Sequence, residues 1–191
     1  MKCTRRQFIE TTAAAGALPG FLAVPTLDAA QSQTSIAMPT PSARALMALF
    51  GLKYPIFEAP HGGATSPELA SAVSNAGAMG ALAAVLRRPD EVRDAVSKVR
   101  SSTKGPFFVN YILNFEPVSL RAALEAGAPI VQFSWGMPST EMVSAVRAAK
   151  AKLGIQVTSA ESARAALDLG ADYLVCQGTE AGGHVQANRE L

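Results

Sequence analysis

From Ala43 onward, short apolar runs alternate with longer helical stretches. The runs are PIFEAP (55–60), MGALAAVL (79–86), PFFVNYIL (106–113), PIVQFSW (129–135), IQVTS (155–159) and DYLVCQG (172–178). Between them lie Pro67–Ala76, Pro89–Ser101, Pro117–Ala126, Ser139–Leu153 and Ala160–Leu169. The runs are apolar on both faces, which is the pattern of parallel strands covered by helices. Ser66 before Pro67 and Ser159 before Ala160 mark helix starts. Gly77, Gly127, Gly154 and Gly170 mark helix stops. The rhythm predicts an α/β chain of about six strand-helix units.

Two folds use such units, the doubly wound open sheet and the (β/α)8 TIM-type barrel. Both bind ligands at the C-terminal ends of their strands. Here those ends read APHGGAT, VNYIL, FSWGMPS, VTSAES and QGTEAGGH. Five tips of polar or glycine-rich sequence favour the barrel, because only a closed ring points them all at one centre. The expected fold is therefore an incomplete (β/α)8 barrel whose last two units are absent.

Composition narrows the function classes. The chain of 191 residues is 49% hydrophobic and 17% charged, a globular balance. Its formal charge of +2 is small, and its Lys and Arg residues are scattered, so no nucleic-acid partner is expected. The two cysteines, Cys3 and Cys176, give neither a disulfide framework nor a zinc spacing. Cys176 reads as a small buried hydrophobe of its strand. No HExxH motif and no Ser-His-Asp order is present, and no metal site is expected.

The N-terminus reads as an address. Lys2, Arg5 and Arg6 precede an Ala-, Leu- and Gly-rich stretch that ends in small residues. TRRQFIE (4–10) resembles the twin-arginine export motif, with Glu10 where a lysine is more usual. Gly16, Pro19, Gly20 and Pro25 break the apolar stretch, which argues against stable membrane insertion. The expected layout is a signal segment over 1–30, a Ser/Thr/Gln/Pro linker over 31–41 and a barrel domain over 42–191. The partner for export is the twin-arginine machinery, and the destination is the periplasm.

The strand tips carry the candidate chemistry. In QGTEAGGHV, Gln177 offers an amide. Gly178, Gly182 and Gly183 allow close backbone approach, and His184 brings an imidazole that can accept or give a proton. A glycine-rich turn with a solvent-facing histidine fits the same residues. Asn110 ends an apolar strand, where an amide needs a partner; a ligand ring edge or a local turn would serve. His61 follows Pro60 and precedes a glycine pair and a capped helix, and is either a pocket residue or structural. Trp135 either walls an apolar pocket or belongs to the core.

PIFEAPHGGATSPELASAVSNAGAMGAL, FFVNYIL, IVQFSWGMP and GADYLVCQGTEAGGHV, in that order, resemble the nitronate monooxygenases. The likeness runs from Leu52 to His184. The QGTEAGGH stretch is also similar to flavin-dependent enoyl-acyl-carrier reductases, so it marks the superfamily better than the substrate. The resemblance implies a (β/α)8 barrel that binds FMN without a metal. It implies that Ala59 and Pro60 lie by the flavin ring, that Asn110 and Gln177 hydrogen-bond it, and that Gly182 and Gly183 line its loop. His184 is then the catalytic base that takes the α-proton of a nitroalkane, and His61 and Trp135 border the substrate. The reaction implied is oxidation of alkyl nitronates or nitroalkanes with O2 to carbonyl compounds and nitrite. The alternatives are an enoyl reductase and an inactive, C-terminally truncated barrel fragment. His61 stands where many members carry Met, and the last two strand-helix units, which hold the flavin phosphate in the family, are missing.

Overall fold

The computed structural model describes residues 39–188. The expected signal segment and most of the linker lie outside the described residues. The first described element is a helix that the sequence pattern left unassigned, α1 (Pro41–Phe50). Thr40 caps it by accepting from Ala43 N at 3.2 Å, Pro41 opens it, and Gly51 at φ 67° closes it. The linker therefore gives way to helix at Pro41. Pro and Ser, which mark loops in aggregate, also suit a first helical turn.

Five strands form one parallel sheet in chain order: β1 (Gly80–Ala83), β2 (Phe107–Ile112), β3 (Ile130–Ser134), β4 (Lys152–Val157) and β5 (Tyr173–Cys176). The crossovers carry α2 (Pro67–Asn75) before β1, then α3 (Pro89–Ser102), α4 (Leu120–Glu125), α5 (Thr140–Ala148) and α6 (Ala160–Asp168). Each strand lies beside its predecessor. A doubly wound sheet reverses direction at a switch point, and this one does not. The architecture is a partial (β/α)8 barrel. No helix of the described residues is long and apolar enough to cross a membrane.

Side chains alternate along every strand. Phe107, Val109, Tyr111, Val131, Phe133, Leu153 and Ile155 face the helices, where they pack with Val92, Val96 and Val99 of α3 and with Val146 of α5. Ala81, Phe108, Ile130 and Tyr173 point to the opposite, interior face, and Leu46, Met47 and Phe50 of α1 cover them. Phe50, Phe57 and Tyr173 stack edge-on with ring centroids 5.2–5.9 Å apart. Helix α1 thus closes the N-terminal end of the interior with aromatic contacts.

Three expectations need correction. The run 55–60 is not a strand of the sheet. It makes one bridge, Phe57 to Met79, because Pro55 and Pro60 have no N–H to give a ladder. Side chains take over the free edge of β1: Glu58 Oε2 accepts from Ala81 N at 2.9 Å, and Thr65 Oγ1 accepts from Ala83 N at 3.3 Å. Helix α5 stops at Ala148 and β4 begins at Lys152, so Gly154 is a strand residue. The stop is made by Lys150 at φ 57°, with Ala151 N bonded back to Val146 O. Cys176 is exposed, because among the described residues β5 is hydrogen-bonded to a neighbour on one side only.

Candidate active site

The loops that follow the strands gather at one end of the sheet, and the polar interior residues lead up to them. The register places Ala83, Asn110, Gln132, Gly154 and Tyr173 in one row across β1 to β5. Below that row Ala81, Phe108 and Ile130 form an apolar layer. Within the row, Tyr173 Oη donates to Gln132 Oε1 at 3.0 Å, and Gln132 Nε2 donates to Asn110 Oδ1 at 3.0 Å. Asn110 Nδ2 donates to Ser134 Oγ at 3.3 Å, and Ser134 Oγ donates to Tyr111 O at 3.3 Å. The amide of Asn110 therefore has the partners that burial demands. Burial, and after it the charge of Asp172, hold the Tyr173 phenol well above its ordinary value, so it remains a donor.

A second network begins at the next residue. Trp135, half-buried at φ 61°, donates its backbone N–H to Gln186 Oε1 at 3.0 Å. Gln156 Nε2 donates to Gln186 Oε1 and to Gln177 Oε1, both at 3.1 Å. Gln186 N donates to Gln177 Oε1 at 2.8 Å, and Gln177 Nε2 reaches His184 O at 3.3 Å. Three glutamines from β4, the tip of β5 and the following loop thus fold residues 178–186 back over the ends of β3 and β4. Glu180 lies over buried Gly178, where a Cβ would sit 2.0 Å from its Oε2. Gly182 and Gly183 are exposed with open space where a Cβ would stand, and Gly183 has φ 78°.

The first tip is a tight turn. His61 O accepts from Ala64 N, Thr65 N and Thr65 Oγ1 at 2.9–3.2 Å. Ala59 and His61 are exposed and Pro60 is half-buried. Among the described residues, neither the His61 nor the His184 imidazole is hydrogen-bonded; in both it is the backbone oxygen that is used. Glu58, one residue before Ala59, carries a buried oxygen, Oε1, without a partner among the described residues. Burial raises its carboxyl above the ordinary range, against the lowering effect of the Ala81 N–H.

Of the residues singled out in the sequence, Gln177, Trp135 and the His184 backbone meet in one hydrogen-bonded cluster. Asn110 sits in the adjoining interior row. No hydrogen bond joins Ala59, Pro60 or His61 to either network among the described residues. Sequence reasoning passed over Gln156, Gln186 and Tyr173. The signal for Gln156 and Tyr173 was available as a polar group on the interior face of an otherwise apolar strand; Gln186, in the loop after β5, leaves no such mark. A groove of about 390 Å³ lies at the opposite end of the sheet, lined by Phe50, Arg100, Lys104 and Pro106. It holds none of the strand-tip residues, and barrel sites are built at the tips.

The family model described as nitronate monooxygenase matches residues 43–119 and 115–191. A nitronate monooxygenase of Paraburkholderia phytofirmans is 29% identical over 181 residues, covering 74% of this chain and 50% of the relative. One from Pseudomonas aeruginosa is 30% identical over 176 residues, covering 71% and 50%. Among solved structures, FabK from Thermotoga maritima is 32% identical with a TM-score of 0.69, covering 74% of this chain and 46% of that one. The nitroalkane oxidase from Streptomyces ansochromogenes is 30% identical with a TM-score of 0.67, covering 77% and 52%. The chain spans about half the length of the curated relatives it matches.

Proposed function

The chain belongs to the nitronate monooxygenase family, and from that premise we propose that its strand tips hold FMN and oxidise alkyl nitronates or nitroalkanes with O2 to carbonyl compounds and nitrite. The observation that carries the reading is the line of interior amides, Asn110, Gln132, Gln156 and Gln177, leading to the open Gly182–Gly183 loop. Asn110 Nδ2 and Gln177 Nε2 each use one proton within the chain and keep one to offer, which fits the carbonyl oxygens on the edge of a heteroaromatic ring. Glu58 Oε1, without a partner among the described residues, is a further acceptor on the segment before α2.

FMN, when bound, supplies electron acceptance from the nitronate and the reaction with oxygen. The chain's own part is to bind and orient. Asn110 and Gln177 hold the ring edge, and Ala59 and Pro60 flank it from the first tip. Gly182 and Gly183, with no side chains, let the backbone close over the ring. The exposed His184 takes the α-proton of a nitroalkane at its imidazole. A nitronate arrives without that proton and needs no base. His61 and Trp135 border the substrate.

The test is an absorbance spectrum of the full chain after FMN is added and excess is removed. A retained flavin band followed by O2 consumption with nitronates is the expected result. A colourless protein, with all FMN in the filtrate, overturns the proposal. A second reading, an enoyl-thioester reductase, has support from the QGTEAGGH stretch. NADH oxidation driven by an enoyl thioester, without nitronate turnover, would select it. Export by the twin-arginine route is part of the proposal and rests on Arg5 and Arg6. It requires the wild-type chain in the periplasmic fraction and an R5K/R6K chain retained in the cytoplasm.

A further inference from the structure

We infer that Tyr173, acting through Gln132, sets which way the Asn110 amide points, so that the site offers its ligand an N–H donor at Asn110. An amide side chain has two orientations related by a flip, and the row of Asn110 and Gln132 has two self-consistent arrangements. In the observed one, hydrogen bonds run from Tyr173 to Gln132, then to Asn110, Ser134 and Tyr111 O. In the reverse, both amides flip, Gln132 donates to the phenol oxygen, and Ser134 turns its proton from Tyr111 O to Asn110.

The phenol decides between them. Tyr173 has one proton and sits 6% exposed, with Gln132, Asn110 and Ser134 each at 4%. In the reverse arrangement that proton has no acceptor within the row, and a buried donor without a partner is unfavourable. Tyr111 O also loses its bond from Ser134. The forward arrangement gives every polar atom of the row at least one partner. The fold is built to admit this reach from β5 to β3. Gly154 stands between Gln132 and Tyr173 in the register, and the absence of a side chain there lets the phenol cross β4.

The consequence lies at the tips. Ser134 is two residues nearer the end of β3 than Gln132. With Oδ1 committed to Gln132, the Asn110 nitrogen is turned toward the tips, with one of its two protons on Ser134 and one to spare. A ligand there meets a donor, and the matching group is an acceptor such as a carbonyl oxygen or an unprotonated ring nitrogen. Tyr173 and Gln132 are positioning residues in this account. The choice of flavin as ligand rests on the proposed function; the orientation of the amide does not.

The experiment is side-chain amide NMR on the full chain without flavin, paired with FMN titration followed by fluorescence quenching. In the wild type, the Asn110 amide protons show contacts to the Ser134 β protons. Tyr173→Phe keeps the ring and removes only the proton, and is expected to split or average the Asn110 signals and weaken FMN binding about tenfold, one hydrogen bond's worth. Gln132→Glu, followed across pH, is expected to draw the Asn110 nitrogen toward residue 132 and away from Ser134 once the carboxyl ionises and can only accept. Unchanged Asn110 contacts in both variants overturn the inference. A wild type that binds no FMN overturns the proposed function instead, and the NMR arm still judges the amide.

Discussion

Tyr173 occupies the space in which a side chain at Gly154 would begin: a Cβ there would lie 2.2 Å from the ring's Cζ and 2.4 Å from its Oη. The ring cannot easily yield, since Phe50 and Phe57 pack edge-on against it and Gln132 accepts from its hydroxyl. Gly154→Ala is therefore expected to destabilise the chain by about 1–3 kcal/mol, the usual cost of overpacking. Denaturant unfolding measures this. A variant as stable as the wild type would mean that the ring moves freely, and that the interior row is loosely held.

Asp172 anchors the start of β5. Its Oδ2 accepts from Arg147 Nη1 at 2.7 Å and from Leu153 N at 2.8 Å, and its Oδ1 from Lys152 Nζ at 3.2 Å. Burial alone would raise its pKa, but the bonds from Leu153, Arg147 and Lys152 together hold it below 3.8. A depressed carboxylate contributes stability that is present above the unfolded value and is lost as pH falls through the folded one. Asp172→Asn is thus expected to cost about 1–3 kcal/mol near neutral pH, less in high salt because Arg147 and Lys152 are partly exposed. Thermal melts of the two chains should converge in strong acid. Curves that stay parallel down to the lowest pH would remove the assignment.

Glu58 has the opposite slope. Its folded pKa is raised above the ordinary 4.5 by burial. As pH rises past that value, the unfolded chain ionises first and the folded state loses stability until the folded pKa is passed. Glu58→Gln keeps an oxygen for Ala81 N–H and cannot ionise. The wild type should match the variant near pH 4 and fall below it by pH 8, read as a difference in melting temperature. A wild type that gains on the variant with rising pH would show that Glu58 has an opposite-charge partner.

Gln186 is the hinge pin of the glutamine cluster. Its Oε1 takes both the Trp135 N–H and the Gln156 amide. Gln186→Ala should speed hydrogen exchange at the Trp135 amide about tenfold, near the net worth of one hydrogen bond, and expose residues 178–186 to faster exchange as well. Exchange at β2 and β3 should not change. If Trp135 exchanges at the same rate in both chains, the loop is held by something other than this residue.

How much of this was legible in the sequence follows from which forces leave a local mark. Strands β2 and β3 fall within a residue of their apolar runs, because burial on both faces leaves no other pattern. The helix starts at Pro67 and Ala160 are marked by their serine caps. Gly154 misled because a glycine after an apolar helical stretch resembles a stop. Its actual cause is a tyrosine nineteen positions away in sequence, which only the register β4 to β5 reveals. The first strand misled for the reverse reason. Its residues are apolar enough, but the edge of β1 is satisfied by the side chains of Glu58 and Thr65, and hydrophobic pattern does not record that. Asn110 and Gln177 stood out singly. Their partners Gln132, Gln156 and Gln186 gain meaning only once the strands are aligned.

His184 is the sharpest test of the proposed chemistry, because its imidazole and its backbone have separate duties. The loop is held through His184 O, which accepts from Gln177, while the side chain is exposed and hydrogen-bonded to nothing among the described residues. Replacing the ring therefore leaves the loop's anchor in place. His184→Ala is expected to lower nitroalkane turnover by about 10²–10⁴, the range for loss of a general base, and to leave turnover of the matching nitronate nearly unchanged. Steady-state oxygen uptake on both forms of one substrate measures the split. An equal loss on both would assign the residue to binding or to loop structure, since a nitronate has no α-proton for a base to take.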